Sequence, residues 1–130
     1  MANSVRIGGL WINTPKGGGD KYLSGSIGKN VRVSCFRNAQ KQEGSKAPDW
    51  RMVISRSYEA NGERQHRTVE VSGLWKEQRG DVSVLVGSFG YCRIEVLKNE
   101  EKKSENDPHY IMHFVEKERK GEDAGSDDLI

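Results

Sequence analysis

Two cysteines, three prolines and three histidines are all that these 130 residues hold of those types. Each scarcity closes a class of explanation. Two cysteines cannot build the disulfide framework of a small secreted domain, and Cys35 and Cys92 fall at positions where the repeat described below has Val96 and Val31; they are read as buried small hydrophobes. Of the histidines, only His109 and His113 share a segment. Four residues apart on a strand at about 3.3 Å each, they stand about 13 Å apart, too far for one ion, so no metal site is expected. No apolar run approaches the roughly 18 residues of a membrane span, and the N-terminus has no apolar signal stretch; a cytosolic protein of a prokaryote or its virus is expected. No phosphate-cradling glycine loop leads into a helix, no nucleophile has a base at a recognisable spacing, and carboxylates such as Asp49, Glu95 and Asp107 sit in charged surroundings. The expectation is a protein without catalytic activity or cofactor.

What the chain does have is a repeat. VRIGGLW at 5–11 returns as VEVSGLW at 69–75, LSGSIG at 23–28 as LVGSFG at 85–90, VRVSCFRN at 31–38 as CRIEVLKN at 92–99, and APDWRMVI at 47–54 as DPHYIMHF at 107–114. The offset slips from 64 to 60 in steps that fall between segments, as shortened turns would give. A period of about 60 residues in so short a chain means two copies packed together rather than a solenoid. The expected organisation is a first β-repeat at 1–58, a linker at 59–68, a second β-repeat at 69–118 and a disordered acidic tail at 119–130.

Within each matched segment, apolar and polar residues alternate with period two, and no 3.6-residue pattern persists across ten positions. Val31, Val33 and Cys35 face one way and Arg32 and Ser34 the other; Cys92, Ile94 and Val96 repeat the pattern. Gly25 and Gly87 fall mid-strand in both copies, where a bulge or a close backbone approach lets a sheet curl. Gly17, Gly18 and Gly19 form one hairpin tip, residues 79–81 a shorter one, and residues 40–46 and 100–106 are long polar loops before the fourth strand. The fold class is all-β: an internal duplication of a four-stranded antiparallel unit, making a small barrel or bent sheets with pseudo-twofold symmetry.

Charge divides the chain. The total is +2, but residues 121–130 hold Glu122, Asp123, Asp127 and Asp128 with no base, so residues 1–120 carry +6. A basic body suits a polyanionic partner.

The run LSGSIG, then VRVSCFRN, then a charged loop ending in APDWRMVIS resembles the bacterial single-stranded-DNA-binding proteins, whose domain is an OB-fold. That family has a hydrophobic-glycine strand, an alternating second strand, and an aromatic residue opening the third strand after a basic loop. Trp50 stands at the aromatic position, and Tyr110 in the second copy. GLW, YLSG and KAPDWR are also similar to short bacterial, phage and plasmid proteins of single-repeat size with no assigned activity. The tail ending Asp127, Asp128, Leu129 and Ile130 is similar to the family's acidic, disordered tail, which docks replication and repair proteins; the terminal Pro-Phe pair of that family is lacking here. The resemblance covers about 35 residues per repeat and the tail, and small barrels share such patterns for physical reasons. It implies an OB-like small barrel, a partner of single-stranded DNA or RNA, and recruitment of replication or repair proteins.

Single-strand binding needs flat π-faces and cations on one surface. Trp50 and Tyr110 exit a loop after Pro-Asp or Pro-His, and serve either as stacking platforms or as barrel caps. Tyr22 joins them as a candidate. Arg32 and Arg93 recur at one outward position, with Lys29, Arg51 and Lys46 as further phosphate contacts. Trp11 and Trp75 end strands whose Val5 and Ile7, or Val69 and Val71, share their face, and are read as core. The alternative is a protein-binding adaptor or inhibitor, phage-borne in one version, using an apolar face of Trp50, Met52, Tyr110 and Met112. A homodimer completing a four-unit assembly is compatible with both readings.

Overall fold

Every matched segment becomes a strand in both copies. The computed structural model describes residues 3–117, and its regular structure is entirely β. In chain order the strands are β1 (Ser4–Asn13), β2 (Tyr22–Gly28), β3 (Val31–Arg37), β4 (Trp50–Ala60), β5 (Glu63–Arg79), β6 (Val82–Phe89), β7 (Cys92–Lys98) and β8 (Tyr110–Glu116). Each pairs antiparallel with the next, and β8 returns to pair with β1, so the sheet closes into one barrel. The connections are those of a meander rather than a Greek key. The two four-stranded units are thus the two halves of a single barrel.

The expected alternation fills its interior. Leu10 with Leu74, Val33 with Ile94, Cys35 with Val96, and Met52 with Met112 stand at matched positions, and all eight side chains are at most 2% exposed. An eight-stranded barrel is just wide enough for side chains to fill it, and small glycines let its walls bend. A Cβ on Gly25 would collide with the carbonyl oxygen of Gly9, and one on Gly87 would lie 2.7 Å from that of Gly73. The mid-strand glycines therefore mark close backbone approaches. Burial pushes the Cys35 thiol up to about 12, so it behaves as the small hydrophobe expected, while Cys92 is half-buried.

The two long bends lie in β1 and β5. Residues 4–10 of β1 pair with β8 and residues 11–13 with β2; residues 63–74 of β5 pair with β4 and residues 75–79 with β6. Just before each bend the ladder carries a bulge, with Ile7 and Val71 as the extra residues. This corrects the assignment of Trp11 and Trp75 to the core. The bulge breaks period-two alternation, leaving Val5 and Val69 at 62% and 63% exposed and placing Leu10 and Leu74 inside, so Trp75 is 44% exposed and Trp11 half-buried. Both indoles become cross-copy struts: Trp11 Nε1 donates to the carbonyl of Asn106, and Trp75 Nε1 to that of Lys46. Each copy's long loop is thereby pinned to the other copy.

The segment 59–68, read as a linker, joins the copies as paired strand. Asn61 and Gly62, both at positive φ, make a two-residue turn, and β4 and β5 pair continuously from Ala60↔Glu63 back to Ser55↔Thr68. Since β3 pairs no further along β4 than Arg56, the end of this hairpin projects beyond the barrel wall as a two-stranded ribbon.

Candidate nucleic-acid interface

The loops before β4 and β8 are built alike. Asn38 and Asn99 each receive and donate the same bonds: their N–H groups go to the carbonyls of Asp49 and His109, their Nδ2 groups to Pro48 and Pro108, and their Oδ1 atoms accept from Gln40 and Glu101. Pro48 and Pro108 then lie against Gly73 and Gly9 so closely that any Cβ there would fall within 2.7 Å of the ring. The next residues dock onto the opposite copy. The N–H of Asp49 bonds Leu74 and that of His109 bonds Leu10, while Asp49 Oδ2 accepts from the N–H of Lys76 and His109 Nδ1 from that of Ile12. This double clamp delivers Trp50 and Tyr110 to one end of the barrel, where both pack on the core.

There the two aromatics meet Tyr22, Arg37, Lys21 and Lys76 in a cleft of about 350 Å³ floored by Leu23 and Val96. Three π-faces and three cations from both copies converge, and among the described residues no carboxylate lines the cleft. The Arg37 guanidinium lies 5.9 Å from the centre of the Trp50 ring, and Tyr22 stacks on Phe36 at 5.2 Å. Asp49, next to Trp50 in the chain, brings a carboxylate close to the cleft. The ammonium of Lys41 at 2.8 Å, together with the N–H of Lys76, holds Asp49 below its usual range and engages its charge. A second cavity, of about 620 Å³, adjoins across Ile12 and Tyr110 and mixes Lys98, Lys102 and Lys103 with Glu100 and Glu105.

Of the residues singled out by sequence, Trp50, Tyr110 and Tyr22 are brought together here. The remaining ones lie elsewhere. Lys29 belongs to the β2–β3 turn at the opposite end of β3 from Trp50's partner Arg37. Arg32 is on the outer wall, donating to Ser24 Oγ. Arg51 pairs with Glu70 at 3.3 Å, also outside. The Lys46 side chain is exposed outside the cleft, its carbonyl holding Trp75. Arg93 is bound to Glu95, which also takes two bonds from Arg79; Arg79, then burial-resisting help from Arg93, keeps this buried carboxylate below its usual range. Asp127, Asp128, Leu129 and Ile130 lie outside the described residues. The face of Trp50, Met52, Tyr110 and Met112 points into the barrel, with both methionines buried.

Lys21 and Lys76 were missed, and Arg37, a cation near Arg32 in the sequence, was not counted among the site residues. The signal for two of them was present: carrying the alternation from Cys35 one step reaches Arg37, and from Leu74 one step reaches Lys76, both on the inward face at the strand end. Among the described residues, no three His, Cys, Asp or Glu converge as metal ligands would. No family profile, curated protein or solved structure matches this chain.

Proposed function

We propose that this protein binds single-stranded nucleic acid without acting on it chemically, holding bases at the mouth of the barrel. The observation that carries the reading is the convergence of Trp50, Tyr110 and Tyr22 with Arg37, Lys21 and Lys76, with no carboxylate among the described residues that line the cleft. A cleft of about 350 Å³ is at the small end of ligand sites and has room for a planar ring system. Stacking on such faces tolerates any base, while the cations give a strength that falls with salt. The acidic tail recruits replication or repair proteins in the cytoplasm under this reading, as the resemblance implies.

The test is a fluorescence and anisotropy titration with labelled oligo(dT) at two salt concentrations, beside duplex DNA and a Trp50→Ala variant. Single-strand-selective, salt-sensitive binding should weaken by about 1–3 kcal/mol in the variant. Absence of binding at micromolar protein and low salt refutes the proposal.

A further inference from the structure

Arg32, set apart from the mouth, does not stand alone. At the foot of the β4–β5 ribbon it lines a depression of about 390 Å³ with Arg64 and His66 from the ribbon and the hydroxyl-bearing Ser26, Ser55 and Ser57. No carboxylate among the described residues lines it. Among the described residues neither arginine is held in an ion pair, although Glu59 stands across the ribbon from Arg64; Arg32 spends one donor on Ser24 Oγ, and His66 turns Nδ1 to Ser57 Oγ. A guanidinium has five N–H donors, so most of both forks remain for an incoming acceptor. The second copy supplies an internal contrast. There Arg93 faces Ser88 just as Arg32 faces Ser26, but Glu95 replaces Ser34 and ties Arg93 and Arg79 into a closed ionic cluster.

We infer that the depression is a binding site for a phosphate group, and that in the working protein this group belongs to the backbone of the single strand whose bases reach the mouth. Two arginines and a histidine ringed by hydroxyls match the geometry and charge of a phosphate, which arginine recognises through paired N–H donors. Arg32 and Arg37 are five residues apart on β3, about 16 Å, so a strand leaving the cleft along the outer wall reaches the ribbon within a few nucleotides. The identity of the donor rests on the function proposed above; the anion site itself does not.

Amide NMR titration of the full chain separates the two. The probes are inorganic phosphate, oligo(dT) and chloride at matched ionic strength, with Arg64→Ala and Arg32→Ser as variants, both at exposed positions. Phosphate should shift the amides of Arg32, Ser57 and His66 beyond the chloride control, and both variants should abolish that shift. Oligo(dT) should shift the same amides and those around Trp50 and Tyr110, and Arg64→Ala should flatten the salt dependence by about 0.7 in log–log slope, one contact's worth. A phosphate response with oligo(dT) confined to the mouth assigns the site to free phosphate. A phosphate response with no oligo(dT) binding anywhere keeps the site and removes the proposed function. No response to either probe at the ribbon overturns the site, whatever the mouth does.

Discussion

Glu95→Ser gives the second copy the residue that the first copy has at the same place, Ser34, and the ionic cluster predicts two effects of opposite sign. The Glu95 side chain is 8% exposed and accepts from Arg79 at 3.1 and 2.9 Å and from Arg93 at 2.9 Å. Bonds to charged groups contribute about 1.5–3 kcal/mol each when buried. Here the guanidinium groups are 38% and 45% exposed and recover water when released, which discounts the total to about 2 kcal/mol. For a domain of this size that is a fall in Tm of about 6–10 °C at neutral pH. The pairing holds the carboxylate below its ordinary 4.5, so in acid the folded protein binds fewer protons than the unfolded chain. The contribution is complete above about pH 5 and drains away as pH falls through the depressed folded value. Melting curves of both proteins should therefore converge as pH falls below the ordinary carboxylate range. The same substitution frees Arg93, while Arg79 keeps its bond to Glu77, so oligo(dT) binding should strengthen and its salt dependence steepen by about 0.7, one added phosphate contact. A variant as stable as the parent at pH 7, or a stability gap that persists unchanged in acid, refutes the account of the cluster; an unchanged salt slope refutes its link to binding.

Two further outcomes test the packing. Gly25→Ala drives a methyl group into the Gly9 carbonyl, a backbone atom that cannot rotate away, and should cost about 3 kcal/mol in urea denaturation, whereas Gly17→Ala, with open space around it, should stay within about 0.5 kcal/mol. A loss below about 1 kcal/mol for Gly25→Ala would show that the two walls do not approach as described. In a Cys92→Ser background, Cys35 should resist a thiol-disulfide reagent at pH 8 until the protein unfolds, because its thiol is buried and pushed up to about 12; rapid labelling of the native protein contradicts that burial.

Much of the barrel was legible because side-chain alternation is local. Val33 and Cys35, or Ile94 and Val96, declare their inward face from neighbours two residues away. The repeat then doubled each inference, which is why the loops, the mid-strand glycines and the paired aromatics could be located together. Alternation failed where one extra residue entered the ladder, at Ile7 and Val71, because a bulge is defined by the partner strand and leaves no mark in the strand's own pattern. It also could not tell that Arg93 is engaged and Arg32 open, since both occupy the same outward position and the difference lies in Glu95 and in Arg79 reaching across β6.

The order of residues along the chain was enough to establish a duplicated all-β unit, its inward-facing pairs and a basic body, since these depend on periods of two and about 60 residues that can be read in one dimension. Closure of β8 onto β1, the reciprocal pinning of each loop by the other copy's tryptophan, and the meeting of Trp50, Tyr110 and Tyr22 with cations from both halves were settled only in three dimensions. Those contacts join residues up to about a hundred positions apart, and their register comes from how two curved half-sheets fit around one shared core.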